Sequence, residues 1–286
     1  MLDSTSKDII IIGGGIAGCV LASRLREKDA SINILLIEAG NDVTNHPLTT
    51  SPLASFACHY SELDWAYTTT SQPHLANRAC YAAAGKALSG GSAVNYGTWT
   101  RGNAADYDLW AKVVDDPQWS YEGFLPYFRK TETYHGNTGE VDGVQHGFDG
   151  PVHNSSVSTS SATRKYAFRE KLRSAWASIG VQAIEDGNAG APLGLSELVE
   201  NWHNGQRRPA SQVYPLTGIE VMTETMVKRV VIEEREGKKI ATGVELQDGT
   251  SISATREVII SAGAYRTPQV MMLSGIGTSL SHTKPT

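Results

Sequence analysis

The sequence is poor in cysteine and has no excess of positive charge. Its three cysteines, Cys19, Cys58 and Cys80, are an odd number spread far apart, which excludes a disulfide framework and is typical of buried, reduced thiols. Lys and Arg number 25 against 30 Asp and Glu, so the formal net charge is −5. Because nucleic acids and anionic membranes are bound through basic surfaces, we expect neither as a partner.

Long apolar runs are also missing. The most apolar stretch near the start, residues 9–22, is interrupted by four glycines and is shorter than the roughly 20 residues that span a bilayer. The segment before it contains one Lys and two Asp, which is not the basic start of a signal peptide. We therefore expect a cytoplasmic protein without a signal peptide.

Glycine, by contrast, is abundant, with 28 residues that occur in clusters. The first cluster, Gly13–Gly18, follows the β-branched run Ile9–Ile12 and precedes a segment with helical spacing. A second apolar run, Ile32–Ile37, ends at Glu38. A strand, a glycine turn, a helix and a second strand that ends in an acid are typical of dinucleotide-binding proteins, and the pattern predicts such a site here.

Four residues of this pattern have distinct physical roles. Gly13 permits a tight turn, Gly15 lets backbone amides approach a pyrophosphate, and Gly18 lets the helix lie close to the strand. The helix N-terminus offers unpaired N–H groups and the positive end of its dipole to the phosphates. Glu38 stands where an acid accepts hydrogen bonds from an adenosine ribose. The motif by itself does not separate NAD from FAD.

The C-terminal part of the chain predicts the return of the same domain. Alternating residues at 220–234 and strands at 242–247 and 251–256 form a β-meander. A second buried apolar strand, Glu257–Ser261, is followed by Ala262-Gly263-Ala264, where small residues let the backbone approach a ligand. The predicted fold class is α/β, with a Rossmann-like FAD/NAD(P)-binding domain that includes this meander.

Between these parts, Gly85–Gly102 is rich in small residues with hydroxyl and amide side chains. It is not a P-loop, because Ala87 stands where that motif needs a hydroxyl residue. Ser92 is not a hydrolase nucleophile, because the glycine that closes a nucleophile elbow is missing. Backbone donors in such a run can pack against a flat, polar ring system, which favours an isoalloxazine over a second nicotinamide.

Two long stretches, Gly85–Gly102 and Ala262–Gly277, closely resemble the signature sequences of the glucose–methanol–choline (GMC) flavin oxidoreductases. Shorter segments resemble that family in the same order, namely Asp64-Trp65, Tyr127-Phe128, His146–Pro151 and Arg207–Tyr214. The resemblance covers residues 8–277, nearly the whole chain. It implies FAD as the cofactor and oxidation of the CH–OH group of an alcohol, with hydride transfer to the flavin N5.

The resemblance also implies the roles of individual residues. The pyrophosphate would be held by Gly13, Gly15, Ile16, Ala17 and Gly18, the adenosine ribose by Glu38 with Ala39 beside it, the adenine by the backbone of Val227, and the flavin side by Ser92, Asn95 and Thr98, with Gly263 close to the cofactor.

The chain differs from the family at Ser89, and its flavin stretch contains no histidine. Ser89 stands where the family usually has a glycine, and a serine held at positive φ costs of the order of 1 kcal/mol. Some relatives attach the flavin through a histidine in the stretch Gly85–Gly102, which contains none here. We therefore expect the FAD to be noncovalent.

The catalytic base cannot be assigned. In the family it is a histidine, with a histidine or asparagine partner, from a part of the chain beyond the second signature. His282 is the only histidine in that direction, and the tail around it does not resemble the family's continuation. The other histidines lack the spacing of metal ligands, so no metal site is expected.

These observations predict a discontinuous FAD-binding domain at residues 1–150 and 215–286. Residues 151–214, with a helix at about 162–179, are expected to form the first part of a substrate-binding α+β domain. That domain would lack most of its sheet and its catalytic end. Besides a small alcohol substrate, we therefore expect as a partner a second polypeptide that supplies the C-terminal catalytic region.

Three functions stay open for a chain of this kind. They are an FAD-dependent alcohol oxidoreductase, a truncated or half-subunit flavin-binding protein without autonomous redox activity, and a flavin-containing lyase. An NAD-dependent dehydrogenase explains residues 8–38 equally well but leaves residues 85–102 and 263–277 unexplained.

Overall fold

The computed structural model describes residues 6–50, 52–136, 144–160 and 163–277. His282 lies outside the described residues. The chain divides into two compact units, the first of residues 1–95 with 209–286 and the second of residues 96–208.

The described residues form the following strands and helices, in chain order. They are β1 (Lys7–Ile12), α1 (Ile16–Lys28), β2 (Ile34–Ile37), α2 (Pro47–Thr50), β3 (Tyr67–Thr68), β4 (Tyr81–Ala82), α3 (Gly91–Val94), α4 (Ala104–Val114), α5 (Tyr121–Thr131), β5 (Glu132–Tyr134), β6 (Val152–Ser156), α6 (Arg169–Ser178), β7 (Val199–Glu200), β8 (Trp202–His203), β9 (Gln206–Arg207), α7 (Ala210–Val213), β10 (Glu220–Met222), β11 (Val227–Arg235), β12 (Lys238–Leu246), β13 (Ser251–Ile260) and α8 (Gly263–Leu273). Short 3₁₀ turns occur at Pro52–Cys58, Pro73–Leu75 and Pro117–Trp119.

The first unit is built on a six-stranded mixed sheet in the order β10-β2-β1-β13-β12-β11. The first four strands are parallel, and β13, β12 and β11 are antiparallel. Strand β1 is buried on both faces: Ile9 and Ile11 pack with Cys19 of α1 on one side, and Ile10 and Ile12 pack with the meander on the other. This double burial explains why its sequence is an unbroken isoleucine run. The predicted α/β fold class is confirmed.

Strand β13 differs from the sequence prediction. Residues 251–256 and 257–261 are predicted as two strands, but they form a single strand. Its first part, Ser251–Ser253, pairs antiparallel with β12, and Glu257–Ile260 pairs parallel with β1. No turn residue interrupts Arg256-Glu257, so the backbone stays extended and joins the meander to the parallel sheet.

The segment predicted as one strand at 220–234, by contrast, forms two separate strands, β10 and β11. β10 pairs with β2, and β11 pairs with β12 on the far side of the same sheet. Between them Glu224 has φ +51°, a left-handed conformation that ends extended structure. One alternating segment therefore supplies both edges of the sheet.

The second unit is α+β. It contains α4, α5, α6, the three-stranded sheet β5-β6-β7 and the pair β8-β9. Its start at residue 96 differs from the predicted domain boundary at 151. Buried hydrogen bonds give the reason, since Glu132 of β5 binds Trp99 and Asn154, and so ties residues on both sides of the predicted boundary together.

The predicted helix at about 162–179 is shorter than expected, since α6 begins only at Arg169. Cys19 and Cys58 are buried, Cys80 is half-buried, and none of the three forms a disulfide. Burial raises the pKa of Cys19 to about 12. Within the part of the chain that the structure describes, no helix is both long and apolar enough to cross a membrane.

Candidate functional site

A groove of about 500 Å³ lies at one edge of the sheet of the first unit. The parallel strands β1, β2 and β13 all end there, at Ile12, Ile37 and Ile260, which is where ligands bind in open parallel sheets. Eight of the predicted site residues line it, namely Gly13, Gly15, Ile16, Ala17, Glu38, Ala39, Val227 and Gly263.

The glycines of the first turn serve different purposes. Gly13 has φ +100°, and a Cβ there would lie 2.6 Å from the carbonyl oxygen of Ser261. A Cβ on Gly18 would collide with the carbonyl oxygen of Gly13. These two positions need glycine for the fold itself, as their sequence roles predicted. Gly15 has φ −74°, and a Cβ there would meet no atom nearer than the Cα of Gly90, at 4.0 Å.

Two helices begin at the groove. α1 starts at Ile16 and α8 at Gly263, and both first residues are among the groove-lining ones. Neither helix has a side-chain cap or an acidic residue in its first turn. Their first N–H groups and positive dipole ends therefore remain available to an anion.

Glu38 connects the turn to the loop that follows β2. Its two carboxylate oxygens accept hydrogen bonds from the backbone N–H groups of Gly14 and Gly40, each at 2.8 Å. Burial raises the pKa of Glu38 despite these two donors. Because each carboxylate oxygen has a second lone pair, Glu38 can still accept a ligand hydroxyl.

The remaining predicted site residues lie outside the lining of this groove. Gly18 packs within α1, and the Ser92 hydroxyl is buried, where it donates to the carbonyl oxygen of Ser89 (2.8 Å) and accepts from the N–H of Ala210 (2.9 Å). Asn95 is exposed at the end of α3, and Thr98 belongs to the second unit. The predicted contacts of Gly18 with the pyrophosphate and of Ser92, Asn95 and Thr98 with the flavin stay predictions.

Ser89 adopts the positive φ that its position in the signature suggested, at +86°. Its hydroxyl compensates for the strain, since it donates to the hydroxyl of Ser211 (2.7 Å) and accepts from the Ser211 N–H (2.9 Å). A glycine there could not form these two hydrogen bonds.

Sequence reasoning missed an aromatic and cationic cluster in the groove wall. The guanidinium carbon of Arg266 lies 3.6 Å from the centre of the Trp65 ring, and its Nε donates to the Tyr67 hydroxyl at 2.7 Å. Tyr265 packs edge-on against Tyr67. Trp65, Tyr265 and Arg266 lie in segments that resemble the family, but the contact of Arg266 with Trp65 joins positions some 200 apart, so no local pattern indicated it.

No histidine is found among the described residues that line the groove. His46 bonds to Glu62, His59 bonds to Tyr81, and His146 is buried between Glu132 and Asp186 in the second unit. Over the described residues, no cluster of His, Cys, Asp and Glu could hold a metal ion.

Comparison with known proteins identifies the family. The GMC oxidoreductase family model matches residues 7–282. The GMC-type oxidoreductase acuG of Aspergillus aculeatus is 43% identical over 96% of this chain and 47% of its own length. The oxygen-dependent choline dehydrogenase of Serratia proteamaculans is 37% identical over 94% of this chain and 49% of its own length.

Solved structures agree with this result. A formate oxidase of Aspergillus oryzae superposes with a TM-score of 0.85 at 32% identity, over 97% of this chain and 49% of its own. A pyridoxine 4-oxidase from Mesorbium loti gives a TM-score of 0.84 at 28% identity, over 95% of this chain and 52% of its own. The chain thus spans about half the length of the relatives it matches. It belongs to the GMC oxidoreductases, a family of FAD-dependent flavoproteins.

Proposed function

We propose that this chain binds FAD noncovalently in the groove and forms the flavin-binding part of an oxidoreductase that acts on the CH–OH group of an alcohol. The observation that carries the proposal is Gly15. Its φ permits any residue, and the nearest protein atom to an added Cβ is the Cα of Gly90, at 4.0 Å. A glycine there is needed only when a ligand approaches the backbone.

The groove matches the chemical parts of FAD. The open N-termini of α1 and α8 suit an anionic pyrophosphate, with Gly15, Ile16 and Ala17 at the first of them. Glu38 offers acceptors to ribose hydroxyls, and Val227 lines the groove where we place the adenine. Gly263 has φ +78° and no neighbour within 4 Å of an added Cβ, so it leaves similar open space.

Bound FAD would supply the hydride acceptor for oxidation of the alcohol. The groove-lining residues of this chain would hold it, but the described lining offers no histidine to take the hydroxyl proton. Because the chain spans about half the length of its relatives, we propose that the base comes from the remaining half of the fold. Activity of the whole protein, as an oxidoreductase or as a flavin-containing lyase, depends on that half.

The spectrum of the purified chain tests FAD binding. We expect flavin absorbance bands at one FAD per chain, and full release of the yellow colour into the supernatant on acid precipitation. Colour that stays with the precipitate would contradict the noncovalent assignment. A chain that binds no added FAD would overturn the proposal itself.

A substitution at Gly15 localises the site. Gly15→Val should weaken FAD binding at least about tenfold, measured by quenching of flavin fluorescence, because its side chain would occupy the open space at the start of α1. The far-ultraviolet circular dichroism of the variant should match that of the unsubstituted chain. Unchanged affinity in a folded variant would place the cofactor elsewhere.

Anaerobic reduction tests the chemistry. A panel of alcohols should leave the flavin of this chain oxidised, and the same panel should bleach it once the remaining half of the fold is supplied. Bleaching of the chain alone would mean that it contains its own proton acceptor. Turnover of a substrate without flavin bleaching would favour a lyase.

A further inference from the structure

In the second unit, helix α6 lies at the surface of the described structure. None of its ten residues is buried. The apolar side chains of α6 and of its two flanking residues nevertheless form one stripe, at Phe168, Leu172, Trp176 and Ile179, with exposed fractions of 70%, 57%, 46% and 71%. This i, i+4, i+8, i+11 spacing is that of a helix face which packs against another element of structure.

The stripe borders a groove of about 580 Å³ in the same unit. Phe168, Leu172 and Trp176 form one wall, and Tyr166 and Leu198, both about half exposed, add to the apolar lining. Contiguous exposed apolar surface of this kind marks a site of interaction with another molecule. Because Ile179 extends the stripe past the groove, a small molecule in the groove would leave part of the apolar face uncovered.

The rim of the groove is basic. Lys165, Arg169 and Arg173 line it against one acid, Glu197. Arg169 pairs with Glu197 at 2.9 Å, whereas Lys165 and Arg173 form no ion pair with any residue that the structure describes. An occupant that presents carboxylates beside apolar side chains would complement both features.

We propose that this α6 groove is the docking surface for the polypeptide that makes up the remaining half of the GMC fold. The relatives match 94–96% of this chain with only 47–49% of their own length. Each of them therefore contains a further portion of polypeptide about as long as this chain. The occupant presents an apolar face with carboxylates at its edge. The inference goes beyond FAD binding and does not depend on it, since α6 and its groove lie in the second unit.

Binding of a defined probe tests the proposal. The probe is the recombinant portion of Aspergillus aculeatus acuG that lies outside the segment matched by this chain, titrated by calorimetry with and without saturating FAD. We expect a complex of one probe per chain. Leu172→Glu should weaken it at least about tenfold, because it places a charge in the middle of the apolar stripe.

The matched control is Leu75→Glu, which changes a residue of similar exposure in the first unit and should leave the affinity unchanged. Arg173→Glu should also weaken binding, and it should reduce the dependence of the affinity on salt. Equal affinity of Leu172→Glu and the unsubstituted chain would overturn the proposal. So would a dimer of the chain, seen by sedimentation, that Leu172→Glu abolishes, since the occupant would then be a second copy.

Hydrogen exchange provides a second measurement that does not need the probe to fold alone. The chain fused to the same acuG portion should exchange the amides of residues 169–178 at least about tenfold more slowly than the chain alone. Unchanged exchange in a fusion with native-like circular dichroism would exclude docking at α6. Loss of FAD binding with α6 protection intact would count against the proposed function only.

Discussion

At the scale of single residues, Gly13 and Gly15 of the same turn differ in what requires them. Gly13 is fixed by the protein, through its φ of +100° and the nearby carbonyl oxygen of Ser261. Gly15 meets no such restriction. The turn therefore contains one glycine that the fold requires and one that only a ligand explains.

Alanine substitutions separate these two roles. Without FAD, Gly13→Ala should lower the free energy of unfolding by at least about 2 kcal/mol, because a side chain is strained there and overlaps backbone. Gly15→Ala should change it by less than about 1 kcal/mol. Urea denaturation of the two FAD-free variants measures the difference, and similar losses of stability would contradict the assignment.

Ser89 stands where the family usually has a glycine, and its hydrogen bonds to Ser211 compensate for the strain of its positive φ. Ser89→Ala would keep the φ of +86° and lose both hydrogen bonds to Ser211, which should cost about 1–3 kcal/mol. Ser89→Gly loses the same bonds but relieves the strain. We therefore expect the glycine variant to be more stable than the alanine variant by about 1 kcal/mol in urea denaturation. The reverse order would show that Ser89 is not strained.

At the scale of secondary-structure elements, a buried ionic network joins the loops and strands of the second unit. His146 bonds to Glu132 through Nδ1 (2.8 Å) and to Asp186 through Nε2 (2.9 Å), and Arg101 pairs with the same Glu132. Burial by itself would lower the pKa of His146, but the hydrogen bonds to Asp186 and Glu132 outweigh it and raise the pKa to about 8. The imidazolium form is therefore the one that the folded protein favours.

This network predicts a pH dependence of stability. Because the folded pKa of His146 lies above its ordinary value of about 6.5, its stabilisation is complete below that pH and disappears as the pH rises through about 8. The expected loss is of the order of 2 kcal/mol. Urea denaturation between pH 6 and 9 measures it.

Two histidine variants test whether His146 causes this pH dependence of stability. His146→Gln should have lower stability and a flatter profile over this range, because Glu132 and Asp186 lose their charged partner. His74→Gln, at an exposed position, should keep the slope of the unsubstituted chain. If His146→Gln kept that slope as well, another group would have to be titrating.

At the scale of the whole molecule, a ligand that binds only the folded chain must stabilise it. FAD at 100 times its dissociation constant should add about 2.7 kcal/mol to the free energy of unfolding. The melting temperature should therefore rise with FAD concentration, and NAD at the same concentrations should leave it unchanged. Scanning calorimetry measures both. An equal shift with NAD would contradict the FAD-specific groove, and a shift in Gly15→Val as large as that of the unsubstituted chain would contradict its location.

Exposed apolar surface is distributed unevenly along the chain. Most of the large apolar side chains that are exposed belong to residues 96–208, including Leu109 and Val113 of α4 and the stripe on α6. The first unit buries its isoleucine-rich sheet on both faces. Of the two units, the second therefore has more apolar surface left for a partner, in a chain that spans about half the length of its relatives.

The sequence by itself determined the features that depend on local sterics. Four features could be predicted: the isoleucine run of β1, the glycine turn, the start of α1 and the acid that follows β2. Each depends on the backbone conformation or hydrophobic periodicity of consecutive residues. The family could be recognised for the same reason, since its signatures are continuous stretches.

Only the tertiary structure decided what depends on packing between distant segments. The continuity of β13 between meander and parallel sheet, the contact of Arg266 with Trp65 and the burial of His146 between two acids join residues far apart in the chain. The open space next to Gly15 is also a tertiary property, because it depends on which distant segments of the chain pack near that residue. Periodicity can say that α6 has an apolar face, but whether that face is covered depends on long-range packing that no local pattern encodes.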